Sequence, residues 1–204
     1  MTRLVVVSAG LSVPSSTRLL ADRLSAATAE ALGEVEVTHV ELRDLAHEIT
    51  DRLLTGFPGP ALRAATEAVR DTDGLIVVTP VFAASYSGLF KSFFDVLEPG
   101  TLDGTPVLLA ATAGTARHSL VIEHALRPLF AYLRAVPVPT GVFAATDDFG
   151  DRGLQDRVER AAGELATLMG KVDASGAARR RRTVEDELAD PTPFDQLLRQ
   201  AAEG

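Results

Sequence analysis

Leu75-Ile-Val-Val-Thr-Pro-Val-Phe-Ala-Ala-Ser-Tyr-Ser-Gly-Leu-Phe-Lys-Ser-Phe-Phe-Asp95 is the stretch that decides how this chain folds. It opens on an apolar run rich in β-branched residues, Leu75 to Val78. A polar turn follows from Thr79 to Ser87, and then Leu89, Phe90, Phe93, Phe94 and Leu97 fall at helical spacing. That order reads as a buried strand, a loop and an amphipathic helix. In an open parallel sheet, the loop after a strand is where ligands bind. This loop is rich in small residues, so its backbone can come up against a flat ring and present amides to the ring's edge.

Outward from this unit the same alternation recurs. Leu4 to Ser8 predicts a strand, and Leu19, Leu20, Leu24 and Ala27 mark a helix ending near Gly33. Val35, Val37 and Val40 predict a second strand. Arg43 to Pro60 reads as irregular, because Gly56, Pro58, Gly59 and Pro60 act as breakers. Ala61 to Asp71 is helical. Pro106 to Ala111 supplies a fourth strand, Thr112 to Arg117 a loop and His118 to Arg134 one long helix. Val138 to Ala144 supplies a fifth strand despite Pro139, and Leu154 to Met169 a last core helix. Strand alternating with helix predicts an α/β, doubly wound, five-stranded parallel sheet with helices on both faces. Residues 1–170 are expected to form that domain. Residues 171–204 are expected to be a tail: a basic run at Arg179–Arg182, an acidic patch at Glu185–Asp190, and a short terminal helix starting at Thr192-Pro-Phe-Asp195.

Composition narrows the function classes. The chain has 204 residues, 46% hydrophobic and 24% charged, with a net charge of −8 that disfavours a nucleic-acid partner. It contains no cysteine, which excludes disulfides, thiolate metal sites and cysteine nucleophiles. No apolar run is long enough to span a bilayer. The expectation is a soluble cytoplasmic protein. His118 and His124, with Glu123 nearby, are six apart and do not share a helical face, so no metal site is expected.

Two further loops carry candidate chemistry. Ser8-Ala-Gly-Leu-Ser-Val-Pro-Ser-Ser-Thr-Arg18 joins the first strand to the first helix. Its hydroxyls at Ser15, Ser16 and Thr17, together with the exposed amides of a helix N-terminus, suit a phosphate group. The same three residues also read as an ordinary helix cap. No dinucleotide fingerprint Gly-x-Gly-x-x-Gly and no P-loop is present. Thr112-Ala-Gly-Thr-Ala-Arg-His-Ser119 follows the fourth strand and should meet the other two loops at the carboxyl edge of the sheet.

The wording Thr-Pro-Val-Phe-x-x-Ser-Tyr-Ser-Gly-Leu-Phe-Lys-x-Phe-x-Asp resembles the isoalloxazine-contacting loop of the NAD(P)H-dependent FMN reductases. Thr112 to His118 is similar to that family's Thr-Gly-Gly-Thr-x-x-His loop, with Ala113 in place of the first glycine. In the first loop the family's common form is Gly-Ser-x-Arg followed by serines. This chain has Ala9-Gly10-Leu11-Ser12, with Arg18 the nearest cation. The resemblance covers about Leu4 to Met169. It implies a flavodoxin-like fold with strand order 2-1-3-4-5, and FMN with NADPH or NADH as cofactors. Ser8, Gly10, Ser15, Ser16, Thr17 and Arg18 would lie at the flavin phosphate. Pro80, Val81, Phe82, Ser85, Tyr86 and Ser87 would lie at the ring, and Thr112, Ala113, Gly114, Thr115 and Arg117 at its polar edge.

The resemblance further implies hydride transfer from nicotinamide to flavin N5, with no catalytic side chain required. It implies a homodimer or tetramer, and delivery of reduced FMN to a luciferase-like monooxygenase. In the two-component relatives the helix after the third loop can carry a π-bulge at the tetramer interface near a Tyr or His. His124 falls there and is expected to help set flavin exchange. Two other readings stay open: a quinone or azo-compound reductase that keeps its flavin, and a non-enzymatic flavoprotein carrier or sensor.

Overall fold

The computed structural model describes residues 1–171 and, beyond them, Pro193. The elements run β1 (Thr2–Ser8), α1 (Ser16–Leu32), β2 (Val35–Glu41), α2 (Ala46–Thr55), α3 (Pro60–Arg70), β3 (Gly74–Phe82), β4 (Ser85–Tyr86), α4 (Gly88–Asp95) and β5 (Pro106–Ala113). A 3₁₀ turn (Ala116–His118) and a π turn (Ile122–Leu126) lead into α5 (Arg127–Tyr132), followed by β6 (Val136–Pro137), β7 (Val142–Ala145) and α6 (Arg152–Lys171). The expected tail, with its terminal helix from Thr192, lies outside the described residues apart from Pro193.

The parallel pairings place β2 beside β1, β1 beside β3, and β3 beside β5. Both β6 and β7 pair with β5, so they are two pieces of one fifth strand. The parallel order is therefore that of the flavodoxin-like sheet, as expected. Pro137, Pro139 and Gly141 explain the break: proline donates no ladder hydrogen bond. The expected continuous strand at Val138–Ala144 is corrected accordingly.

Strand alternation sends residues to two cores. Val5, Val7, Leu75, Val77, Val107 and Leu109 pack against Phe90, Phe94 and Phe130 on one face. Leu4, Val6, Ile76, Val78, Leu108 and Ala110 pack against α1 and α6 on the other. Phe90, Phe94 and Phe130 form a tilted and edge-on ring cluster with centroids 4.8 to 6.2 Å apart.

Two expectations of local structure are corrected. Arg43–Pro60 is not irregular throughout, because Ala46–Thr55 is helical. Leu45 and Ile49 anchor it in the core, and Gly56 closes it in the left-handed conformation at φ 84°. The long helix expected from His118 to Arg134 is broken into the 3₁₀ turn, the π turn and α5. The π turn brackets His124, where the resemblance implied one.

Candidate functional site

Three loops leave the carboxyl ends of β1, β3 and β5, which are neighbours in the sheet. At the end of β1, Ser8 is fully buried, and its Oγ has no hydrogen-bond partner among the described residues. A buried hydroxyl without a partner is costly, so it marks a place where a ligand's polar group would be welcome. The Ala9 amide donates to the Val78 carbonyl at 3.0 Å, which fixes where the loop leaves the sheet.

Gly10 is tightly placed, since a Cβ there would stand 2.1 Å from the Ser15 Oγ and turn it out of its present position. That Oγ caps α1 by accepting from the Arg18 amide at 3.2 Å. Ser16 is exposed at the first helical position, while Thr17 is buried. The first amides of α1 have no intrahelical acceptor, and the helix dipole places partial positive charge there. The result is a cradle of hydroxyls and amides with the chemistry that a phosphate monoester needs.

Beside this cradle lies a hollow of about 300 Å³, bounded by the Gly10–Ser15 loop, Arg18, Glu41, Arg43 and Asp44. The guanidinium of Arg18, the nearest cation to the cradle in the sequence, is already engaged. Nε donates to Asp22 Oδ1 at 2.7 Å, and Nη1 to Glu41 Oε1 at 2.6 Å. Those hydrogen bonds, Asp22's foremost, raise the Arg18 pKa further above its ordinary range. The His39 Nδ1 is 3.9 Å from Asp22 Oδ1. Burial, reinforced by Arg18, pushes His39 below the ordinary imidazole value, so it is neutral at pH 7.

The second loop is a hairpin rather than an open turn. β3 continues through Phe82 and turns back at Ala83–Ala84, so that Val81 pairs with Tyr86 and Phe82 with Ser85. Both turn residues have positive φ, 49° and 66°, the requirement of a type I′ turn, here met by alanines. The base of the hairpin is locked. The Thr79 Oγ1 accepts from the Ser87 amide at 3.0 Å, and the Ser87 Oγ caps α4 by accepting from the Phe90 amide at 3.2 Å. Tyr86 leans on Phe90 with ring centroids 5.9 Å apart. Phe82 stands half-exposed at the tip, beside Pro80 and Val81. Phe93 and Phe94 are core, and Lys91 pairs with Asp95 on the outer face of α4.

The third loop begins later than expected, because β5 runs on to Ala113. Thr112 pairs in register with Pro80, which puts the third loop directly beside the hairpin. The Thr112 Oγ1 is 2.8 Å from the Thr17 Oγ1, in a buried contact that ties α1 to β5. Gly114, Thr115 and Arg117 are exposed beyond it. In the π turn His124 is exposed, and the Arg127 guanidinium grips Glu123 through two hydrogen bonds of 2.7 and 2.9 Å. Arg127 also reaches the Val138 and Pro139 carbonyls, which ties this turn to the gap in the fifth strand.

The structure thus brings Ser8, Gly10, Ser15 and Thr17 together with Thr112, and sets Pro80 beside Thr112. His124 sits on a separate turn. The residues that sequence reasoning missed are Asp22, Glu41, Arg43 and Asp44. Glu41 had a readable signal: it is an acid at the carboxyl end of the strand next to β1. Among the described residues no cluster of His, Asp and Glu could hold a metal ion.

Residues 2–150 match the family model described as NADPH-dependent FMN reductase. An FMN reductase (NADPH) of Pseudomonas aeruginosa is 38% identical over 173 residues, covering 82% of this chain and 92% of its own length. An NADH-dependent FMN reductase of Pseudomonas fluorescens is 39% identical over 173 residues, with the same coverage. In structure, an oxidoreductase of Corynebacterium diphtheriae superposes with a TM-score of 0.82 at 50% identity, over 85% of this chain and 99% of its own.

Proposed function

The chain belongs to the NADPH-dependent FMN reductase family and is an NAD(P)H:FMN oxidoreductase, and from that premise we propose that it binds FMN across the carboxyl ends of β1, β3 and β5 and releases it reduced. The observation that carries this reading is the fully buried, unpartnered Ser8 hydroxyl beside the Gly10–Thr17 cradle. When bound, the flavin supplies the redox chemistry, taking hydride from the nicotinamide.

The side chains divide the remaining work. Ser15 and Ser16, with the first amides of α1 including that of Thr17, hold the phosphate, while the Thr17 hydroxyl ties the cradle to Thr112. Pro80, Val81, Phe82 and Tyr86 shape the slot for the ring, and Ser85 and Ser87 fix the hairpin that carries them. Thr112, Ala113, Gly114 and Thr115 bring backbone to the ring's polar edge, and exposed Arg117 is free to meet a nucleotide phosphate. None of them transfers a proton in this reading.

Phe82 on the hairpin and Leu120 after the third loop leave apolar surface, 49% and 62% exposed, which favours a homodimer or tetramer that covers it. The consumer of the reduced flavin is read as a luciferase-like monooxygenase, on the strength of the π turn around His124. The reading calls for the cytoplasm, where reduced nicotinamide nucleotides are made. Among the described residues no helix is long and apolar enough to cross a membrane.

The test is nicotinamide oxidation in air by the purified chain, with NADPH and NADH, across a range of added FMN. Turnover that rises and saturates with free FMN is the expected result. Flavin that stays bound while a quinone is reduced would move the reading to a quinone reductase.

A further inference from the structure

We propose that Glu41 and Asp22 set the flavin preference of this chain by holding Arg18 off the phosphate, so that FMN is bound little more tightly than riboflavin. The inference rests on the reading that the flavin phosphate sits at Ser15–Thr17.

The geometry is that of a neutralised cation. Arg18 follows the cradle directly and lines the hollow beside it. Its Nε and Nη1 are committed to Asp22 and Glu41 at 2.7 and 2.6 Å, distances of strong charge-assisted hydrogen bonds. To turn either of those two donors to a phosphate at the cradle, the guanidinium would have to give up a carboxylate. The charges around the cradle do not favour that move. Arg18 and Arg43 face Asp22, Glu41 and Asp44, and His39, the remaining titratable group in contact with this cluster, is neutral at pH 7.

A phosphate monoester carries between one and two negative charges at that pH. It would therefore be held by neutral donors and the α1 dipole, with exposed Arg43 the one cation of the rim outside the Arg18 ion pairs, inside a rim with more acid than base. Most of the affinity then comes from the ring, which riboflavin shares. For a flavin that must arrive and depart in each cycle, weak retention of the phosphate serves turnover.

The experiment titrates the flavin-free full-length protein with FMN and with riboflavin, following quenching of flavin fluorescence. Wild type is compared with Glu41→Gln, Asp22→Asn and the double variant. Freeing Arg18 should lower the Kd for FMN about tenfold in the double variant, the scale of a new charge-assisted contact, and leave riboflavin unchanged within about twofold. Arg18→Gln should alter FMN binding less than about threefold in the wild-type background, yet remove the whole gain in the double variant. An independent readout needs no substitution: raising salt from about 50 to 500 mM should weaken FMN no more than riboflavin in wild type.

Unchanged or weaker FMN binding by the double variant would overturn the proposal. So would equal tightening of riboflavin, an Arg18→Gln variant that loses FMN in the wild-type background, or a steep salt dependence confined to FMN. Wild type that binds neither flavin would sink the phosphate-site reading itself, an outcome distinct from all of these.

Discussion

The hydroxyls of Thr17 and Thr112 lie 2.8 Å apart in the interior, one on the first turn of α1 and the other at the end of β5, 95 residues later. Each satisfies the other, and together they join the first and third site loops across β3. The loops are therefore held in place before any ligand arrives.

Removing one partner should cost more than removing both. Thr17→Val or Thr112→Val leaves a buried hydroxyl unpaired and should destabilise the chain by about 1–3 kcal/mol. The double valine variant should recover part of that loss. Urea unfolding of the three variants checks it, and additive losses would mean that the two hydroxyls are not coupled.

Gly10→Ala should damage binding more than folding. Its Cβ would drive against the Ser15 Oγ at 2.1 Å and meet the Ser15 and Thr17 Cβ atoms at 3.2 Å. The cap on α1 must then shift, at a cost of about 1–3 kcal/mol, and the cradle shifts with it. FMN titration should show a loss of at least about tenfold, while far-UV circular dichroism stays that of the wild type.

The hairpin tip is a site of stored strain. Ala83 and Ala84 occupy positive φ, where an L-residue with a Cβ costs about 1–2 kcal/mol. Ala83→Asn with Ala84→Gly supplies the residues that a type I′ turn prefers and should raise stability by about 1 kcal/mol. A rise in the thermal midpoint would show it. A fall would mean that the alanine methyls make contacts that matter more than their backbone strain.

The Glu123–Arg127 pair predicts a pH dependence of definite sign. The hydrogen bond from Arg127 holds the Glu123 carboxyl below its ordinary value of 4.5. A carboxylate with a lowered folded pKa stabilises above its unfolded value, and that contribution disappears as pH falls through the folded value. Glu123 is half-exposed, so solvent screening limits the pair to about 0.5 kcal/mol at neutral pH. Wild type and Glu123→Gln should differ in urea stability at pH 7 and converge as pH falls through the lowered folded value of Glu123. A difference that persisted at acid pH would assign it to packing.

The sheet was legible in the sequence because parallel strands buried on both faces read as unbroken apolar runs, as Leu75–Val78 and Pro106–Ala111 do. The capping serines Ser15 and Ser87 were legible for the same local reason: hydroxyls ahead of a helix. The helix Ala46–Thr55 was hidden because only Ile49 of its residues is buried, and the nearby glycines and prolines outweighed so thin a stripe. The ion network around Arg18 could not be read at all. Asp22 is one helical turn away and was available, but Glu41 belongs to the neighbouring strand, and only the β1–β2 register brings Ser8 level with it. The hairpin tip was unreadable because two alanines carry no turn signal.

The clasp between Thr79 and Ser87 has a consequence for how this fold can diversify. It closes the intervening segment into a ring whose circumference is fixed at both ends, by a strand on one side and a helix cap on the other. An added or deleted residue there would misalign the cap of α4 and, through Phe90, the aromatic cluster beneath it. New substrate tastes at this loop must therefore arise by exchanging side chains at constant length, while changes of length are left to segments outside the site.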